Sequence, residues 1–345
     1  MKLRDYIIRR LLLLIPVLLG VSVIVFALTR APGRDPASLY ITERMTDQQI
    51  QEVYRRYGFD QPVYIQYLRW LAGALGGDLG YSRTAHLGVT EAIVAFFPAT
   101  FELTTVSIFF AILIAIPLGV VSAKRRNDPV DQASRVFALM GVSIPIFWLA
   151  VMFQFLFAFT PQQFGITLLP LAGRYDDKTQ LFFGVPGVTH FYTIDSLLAG
   201  NLAAFWDAIS HLILPAMALS YASMAIITRI MRSSMLEVLG AEYIKTARAK
   251  GLSEKLVVRK HAVRNALIPT TTVVGLSYGG LLSGAVLTET IFRWPGMGSW
   301  SVNAAVNNDI AAVLGFTLLA AVVYVLVNLI VDIAYAYLDP RIRLD

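Results

Sequence analysis

The sequence predicts an all-α, polytopic membrane protein, and three observations lead to this class. Hydrophobic residues make up 56% of the 345 positions, and the mean hydropathy is +0.62. These residues fall in blocks long enough to cross ~30 Å of hydrocarbon as a helix, which takes about 20 residues. The blocks also lack the alternation of a membrane β-strand. The predicted spans are residues 9–29, 99–123, 134–160, 209–231, 266–289 and 310–335.

The first span follows a basic tail, an order that also occurs in secretory signal peptides. Its apolar run from Leu11 to Leu28 is 18 residues long, which exceeds a signal-peptide core, and no clear small-x-small cleavage site follows. We therefore expect residues 1–30 to be a tail and a retained first span.

Two long segments between the spans are predicted to be external inserts. Residues 31–98 are too long for a simple connector and contain two helical patterns, at 46–58 and 62–75. Residues 161–208 are rich in Gly, Pro and aromatic residues, and the stretch 197–212 is typical of an amphipathic helix leading into the fourth span. Residues 99–345, which include this second insert, would form a core domain with five spans.

The distribution of Lys and Arg predicts the orientation. The N-terminal tail, the loop after the second span, the segment 229–264 and the C-terminal tail are the basic short segments, whereas residues 290–309 carry only Arg293. Positive charge in short loops marks the cytoplasmic side. Both termini are therefore expected to be cytoplasmic, which agrees with an even number of spans.

The sequence gives no sign of a catalytic, metal or cofactor site. The chain has no cysteine, which excludes disulfides and thiolate chemistry, and its four histidines are scattered. No G-x-x-x-x-G-K-[ST] phosphate-binding loop is present. A Ser/His/Asp set could be assembled only from distant loops, so we expect a non-catalytic protein.

The segment 232–265 between the fourth and fifth spans has a helix–glycine–helix pattern. An apolar stripe at helical spacing predicts the first helix, and Gly251 stands where a C-terminal cap is expected. Ser253 is placed to cap a second helix that runs to about Ile268 and enters the fifth span at Pro269. The stripe consists of Leu236, Leu239, Tyr243 and Ala247.

The charge of this segment supports a simpler interpretation equally well. Residues 242–269 contain seven Lys/Arg and two Glu, and such a loop would be attracted to anionic headgroups without any docking role. The order of the residues, rather than their charge, favours a docking surface.

That order resembles a known family. Residues 242–252 read EYIKTARAKGL and residues 261–269 read HAVRNALIP. They resemble the coupling-helix loop of ABC importer permeases in the dipeptide/oligopeptide/nickel-type subfamily. The step of 18 residues from Gly251 to Pro269 matches this subfamily, whereas the general importer loop has 13. QPVYIQYLRWLAGALGGDLGYS (61–82), ETIFRWPGMG (289–298) and LDPRIR (338–343) resemble segments of the first of its two paired permeases.

The resemblance implies the type I ABC importer permease fold in the cell membrane of a prokaryote. It implies partners: a second homologous permease, two ATPase subunits that hydrolyse ATP, and an extracellular substrate-binding protein, with no role for nucleic acid. Peptides are the expected cargo, with oligosaccharides and nickel chelates as alternatives. The residues implied to dock on the ATPase are Glu242, Tyr243, Thr246, Ala247, Arg248, Lys250 and Gly251.

The fifth span adds candidates for the pathway or a subunit interface. Gly275, Gly279 and Ser283 repeat every four residues, a spacing that allows close helix approach, either within the chain or against the partner permease. Glu289 is the best candidate for bracing the external gate, although it, Glu102, Asp309 and Asp332 could also be ordinary interfacial carboxylates. A stand-alone secondary transporter would need intramembrane ionisable groups and repeat symmetry, for which the sequence gives poor support.

Overall fold

A computed structural model describes residues 3–28, 37, 41, 45–166, 168–176, 185 and 187–338. Most of them are helical, and the other regular element is a two-stranded antiparallel sheet of β1 (Tyr81–Ser82) and β2 (Leu87–Gly88). The helices are α1 (Leu3–Leu28), α2 (Asp47–Tyr57), α3 (Val63–Leu75), α4 (Val89–Lys124), α5 (Pro129–Ser143), α6 (Ile146–Phe153), α7 (Thr160–Gln163), α8 (Tyr192–Leu198), α9 (Leu202–Leu239), α10 (Glu242–Ala249), α11 (Glu254–Leu256), α12 (Val263–Gly284), α13 (Val286–Ile291), α14 (Met297–Val306) and α15 (Ile310–Leu338).

The long apolar helices confirm the predicted membrane class. Four helical stretches in the described part of the chain are long and apolar enough to cross a membrane: α4, the run Ile146–Gln163, α9, and Ile310–Val331 of α15. Within α1, the shorter stretch Leu11–Ala27 is also apolar. The predicted fifth span corresponds to α12, whose 22 residues include Pro269.

The third predicted span, 134–160, is not one helix. α5 ends at Ser143 and α6 begins at Ile146, because Pro145 forces the preceding Ile144 into an extended conformation (φ −81°, ψ 125°). A π-helical segment, Gln154–Phe159, then joins α6 to α7. The fifth predicted span, 266–289, is likewise divided at Ala285, in a stretch where glycines lower helix propensity.

Two helix boundaries differ from prediction because the helices continue beyond their apolar stretches. α4 begins at Val89, ten residues before the predicted span, since its first turns pack against α14 and α15. The segment between the first two predicted spans therefore ends at residue 88. α9 runs without a break from Leu202, so residues 197–212 do not form a separate amphipathic helix.

α9 lies at the centre of the bundle and packs against α4, α5, α6 and α12. Glycines allow the closest approaches. A Cβ on Gly119 of α4 would lie 2.8 Å from Cβ of Met231, and one on Gly141 of α5 would lie 2.4 Å from Cβ of Ala225. Both contacts are therefore too close for a larger residue.

Candidate functional site

The predicted docking helix is a separate short helix, α10, connected to α9 through Gly240 and Ala241. The predicted stripe is therefore wrong as a single face, because Leu236 lies on α9 and Tyr243 lies on α10. The residues that anchor α10 are Ile244 (0% exposed) and Ala247 (8% exposed), one turn apart. They pack in a cluster with residues of α4, α9, α12 and the π-helical segment Val257–Ala262.

This packing changes the assignment of the predicted docking residues. Ala247 faces the chain's own core and is not available to a partner. Sequence reasoning missed Ile244, which the three-residue spacing to Ala247 could have revealed. The other members of the set in α10, Glu242, Tyr243, Thr246 and Arg248, are exposed, as are Lys250 and Gly251 beyond its end.

Polar side chains on the exposed face of α10 make contacts within the helix itself. The Thr246 hydroxyl donates to the Glu242 carbonyl oxygen at 3.0 Å, and Lys245 Nζ lies 2.7 Å from Glu242 Oε1. Tyr243 is 46% exposed, and its partial burial raises the pKa of its phenol.

Gly251 forms the predicted turn. Its φ is +76°, in the left-handed region that favours glycine, and its N–H donates to the Arg248 carbonyl oxygen at 2.9 Å. No atom lies within 4 Å of a Cβ built at this position, so the requirement is for backbone conformation rather than for space. Ser253 occupies the N-cap position of α11, but its hydroxyl makes no capping hydrogen bond.

An ion pair crosses this turn. Arg248 Nε lies 3.0 Å from Glu254 Oε2, and Arg248 Nη2 lies 2.8 Å from Glu254 Oε1. The pairing lowers the pKa of Glu254 and raises that of Arg248. Arg248, expected to meet acidic groups of a partner, therefore already has a carboxylate in its own chain, whereas Lys250 forms no ion pair with any described residue.

The turn leads into continuous helix. α11, the π-helical segment Val257–Ala262 and α12 follow one another without a gap, and Pro269 lies inside α12. The predicted second helix therefore continues into the span without a break at Pro269. We call α10, the Gly251 turn, α11 and this π-helical segment the elbow. Its part after the turn forms one continuous helix with α12.

The small residues of α12 pack within the chain. A Cβ on Gly275 would lie 1.9 Å from Cγ2 of Val331, and one on Gly279 would lie 3.4 Å from Cγ1 of Val327, both on α15. Of the two alternatives, packing within the chain accounts for both glycines. The side chain of Ser283 lies outside the described set.

Glu289 is completely buried and connects three helices. Its Oε1 accepts from the Thr100 hydroxyl of α4 at 2.6 Å, and its Oε2 accepts from the N–H of Ser299 at 2.8 Å, in the first turn of α14. A carboxylate is favoured there by the helix dipole. A Cβ on Gly296 would lie 2.4 Å from Glu289 Oε1, so this glycine permits the contact.

Two further carboxylates at this end are buried rather than interfacial. Glu102 pairs with Arg174 at 2.7 Å and accepts from the N–H of Thr193 at 3.1 Å, which attaches the second external segment to α4. Asp309 accepts from the Ser82 hydroxyl at 2.8 Å and from the Thr84 N–H at 3.0 Å, which attaches the β1–β2 hairpin to the start of α15. The side chain of Asp332 lies outside the described set.

Another buried carboxylate, Asp131, lies at the other end of the bundle and was not singled out from the sequence. It accepts from Arg232 Nε at 2.6 Å and Nη2 at 2.8 Å, and from the Ser122 hydroxyl at 2.6 Å. It therefore links α4, α5 and α9. No group of three His, Asp or Glu side chains among the described residues could hold a metal ion.

Comparison with known proteins agrees with this architecture. Residues 115–344 match the family described as binding-protein-dependent transport system inner membrane component, and residues 3–104 match the N-terminal model of such membrane components. The C-terminal LDPRIR motif, residues 338–343, falls mostly outside the described residues but lies entirely within the first of these matches.

Named relatives extend over nearly the whole chain. The dipeptide transport system permease protein DppB of Alkalihalophilus pseudofirmus is 43% identical over 98% of this chain and 99% of the relative. The di/tripeptide transport system permease protein DppB of Pseudomonas aeruginosa is 44% identical over 98% of each. The oligopeptide transport system permease protein AppB of Bacillus subtilis is 38% identical over 98% of this chain. The chain therefore belongs to the family of inner membrane components of binding-protein-dependent transport systems, in its dipeptide/oligopeptide ABC permease branch.

Proposed function

We propose that this chain is one of the two permease subunits of an ATP-driven peptide importer, coupled to its ATPases through the exposed face of α10. It pairs with a second, homologous permease to form the translocation pathway. Two ATPase subunits bind on the cytoplasmic side, and an extracellular substrate-binding protein delivers the cargo. Both termini and α10 are cytoplasmic in this arrangement, as the distribution of basic residues predicts.

The observation that carries the coupling role is the construction of the elbow. Ile244 and Ala247 fix one face of α10 to the bundle, which leaves Tyr243 and Thr246 exposed on the other face. Beyond the Gly251 turn, α11 and the π-helical segment continue as unbroken helix into α12. A displacement of α10 by a partner would reach α12 through this turn, the Arg248–Glu254 ion pair that crosses it and the apolar cluster that α10 shares with α12.

Peptide cargo is supported by the relatives, since those named above are permeases of dipeptide, di/tripeptide and oligopeptide systems. None of these names supports an oligosaccharide or a nickel chelate. A stand-alone secondary transporter is also less well supported, because the buried carboxylates described above are all engaged by hydrogen bonds or ion pairs within the chain.

Single engineered cysteines would test the docking role, because the chain has no cysteine of its own. Thr246→Cys is expected to form a disulfide with a cysteine scanned along the groove of the ATPase subunit, and the yield should change between nucleotide-free and ATP-bound states. Val306→Cys is the matched control, since Val306 is 75% exposed but lies on α14 at the opposite end. Equal cross-linking at both positions, or none at Thr246→Cys with a functional complex, would rule out docking through α10.

A further inference from the structure

A crevice between α5 and α9 has properties that the transport function does not explain. Its volume is about 370 Å³, and it opens on the surface of the bundle near the elbow. Residues from these two helices line it, and none of them belongs to α10 or the rest of the elbow, the proposed site of ATPase docking. The lining consists of Ser134, Arg135, Ala138, Leu139, Val142, Ser143, Thr228, Arg229 and Arg232.

The crevice is basic at one end and apolar at the other. Asp131 of α5 contacts Arg232 of α9, whereas Gly141 of α5 packs against Ala225 of α9, so the two helices run antiparallel. The three arginines therefore lie towards the Asp131 end. The apolar residues Leu139 and Val142 lie towards the Gly141 end, deeper along the predicted span.

The basic end has more positive charge than its own carboxylate can neutralise. Arg232 forms a two-bond contact with Asp131, and Arg135 Nε lies 3.9 Å from Asp131 Oδ2. Arg229 is exposed and forms no ion pair with the described residues. Arg232 and Arg135 thus share one buried carboxylate, and Arg229 lines the same crevice without a carboxylate of its own, which leaves a site for an external anion. Guanidinium groups bind phosphate with paired hydrogen bonds.

Between the basic and apolar ends lies an unpaired hydroxyl. Thr228 is 1% exposed, and its Oγ1 has no hydrogen-bond partner in the described structure. A buried hydroxyl without a partner is costly, so such groups normally have one. Because Thr228 lines the crevice, rotation about its χ1 angle would turn the hydroxyl towards an oxygen atom of a bound molecule, which would provide the missing acceptor.

We infer that this crevice binds an anionic phospholipid of the surrounding membrane. The phosphate lies between Arg135 and Arg229, an oxygen of the headgroup or ester region accepts from Thr228 Oγ1, and an acyl chain lies along Leu139 and Val142. These two apolar residues are 67% and 59% exposed, as expected of side chains that meet lipid. Free phosphate would satisfy the arginines but leave this apolar wall uncovered. Basic pockets between membrane helices commonly recognise lipid headgroups.

The first test measures lipid retained by the full chain purified with its partner subunits in mild detergent. Native mass spectrometry should show preferential retention of added phosphatidylglycerol over phosphatidylcholine. The double variant Arg135→Gln/Arg229→Gln should lower this preference by about fivefold for each arginine. Arg259→Gln/Lys260→Gln removes the same charge from exposed positions of the elbow and should leave the preference unchanged. The proposal would be overturned if the arginine variant kept the wild-type preference for phosphatidylglycerol, or if both double variants lost that preference equally.

The second test uses Thr228→Val, which removes the hydroxyl with little change in volume. In nanodiscs of phosphatidylcholine the variant should melt at a higher temperature than wild type, because an unpaired buried hydroxyl is gone. The additional stabilisation by phosphatidylglycerol should be smaller in the variant. If the substitution changed the melting temperature by the same amount in both lipids, the role of Thr228 would be purely structural and the inference would be contradicted.

Two further experiments test whether the crevice holds a soluble anion or a partner protein instead of a lipid. Inorganic phosphate should neither displace the retained lipid nor reproduce its stabilisation; if it does both, the site binds a soluble anion. Comparison of the isolated chain with the assembled complex tests for a protein occupant. If the isolated chain retains the lipid and the complex excludes it, a partner subunit fills the crevice and the lipid assignment is wrong.

Discussion

The two ends of α4 are attached to the neighbouring elements by different kinds of interaction. Near Lys124, the elbow is attached by apolar contacts of Ile244 and Ala247, and its Arg248–Glu254 ion pair is exposed to solvent. Near Val89, the carboxylates of Glu289, Glu102 and Asp309 are buried, and each receives several hydrogen bonds. The ends are about 54 Å apart, given 36 residues of helix at 1.5 Å per residue.

The difference indicates which end can change its geometry. Removing a partner from a buried charge leaves it uncompensated, so the Glu289 end has one strongly preferred arrangement. An exposed ion pair is worth about 1 kcal/mol or less and is screened by salt. The Gly251 turn inside the elbow can therefore change its angle at low electrostatic cost, whereas Ile244 and Ala247 keep α10 packed on the bundle. The buried Asp131–Arg232 pair does not alter this contrast, since it joins α5 to α9 beside the elbow rather than within it.

Glu289→Ala is expected to have the largest effect on stability. It leaves the Thr100 hydroxyl and the Ser299 N–H without their buried acceptor, at a cost of about 4 kcal/mol in the free energy of unfolding. Glu289→Gln keeps one acceptor oxygen and should cost about 1–2 kcal/mol. Thermal or denaturant unfolding in detergent measures both. Similar values for the two variants would mean that the hydrogen bonds described here are not what stabilises this end.

Ile244→Ala tests the attachment of the elbow. Truncating this fully buried side chain should cost about 3 kcal/mol, most of it as local release of α10 rather than global unfolding. Hydrogen exchange should therefore become faster in α10 while that of α9 is little changed, and ATP hydrolysis should become uncoupled from uptake. Thr246→Ala, at an exposed neighbouring position, is the control and should leave exchange in α10 close to wild type. Protected α10 amides in Ile244→Ala would contradict the anchoring role.

Gly275→Ala tests the contact of α12 with α15. The new Cβ would overlap Val331, and the forced separation of the helices should cost about 2 kcal/mol. A second substitution, Val331→Ala, should restore part of this loss. Gly280→Ala is the matched control on the same helix, because a Cβ there has no atom within 4 Å. If both glycine variants unfold alike, the effect comes from helix propensity rather than packing.

Glu254→Gln should have the smallest effect, below about 1 kcal/mol. Because pairing with Arg248 lowers the pKa of Glu254 in the folded state, its contribution is present above the unfolded pKa of about 4.3 and is lost as the pH falls through the lower folded value. The variant should lose this pH dependence and part of the salt dependence of elbow stability. Glu237→Gln, at an exposed position of α9, should retain both.

Some of the site was predictable from the sequence because it depends on local properties. Gly251 was identified as a turn since a left-handed conformation after a helix strongly favours glycine, and the structure has it there. The docking role of Ala247 came from the family resemblance, whereas the apolar stripe was extended through Gly240, which caps the end of α9. Local periodicity cannot show that two helices are separated by a single glycine-containing connection.

Burial of the carboxylates could not be predicted. Glu289 was a good candidate by its place at the end of a span, but its partners Thr100 and Ser299 lie 189 and 10 residues away in the sequence. Asp131 gave no signal, since its partner Arg232 is 101 residues away. Such pairs depend on which helices pack together, and no local pattern contains that information.

The sequence by itself determined the membrane class, the family and the turn at Gly251, because hydrophobic length, residue order and backbone conformation are properties of consecutive residues. The tertiary structure decided which face of α10 is exposed, that Gly275 packs on α15, and that a basic crevice separates α5 from α9 at the surface. These features arise from contacts between helices distant in the chain, whose energies depend on the distances and burial that only the folded arrangement provides.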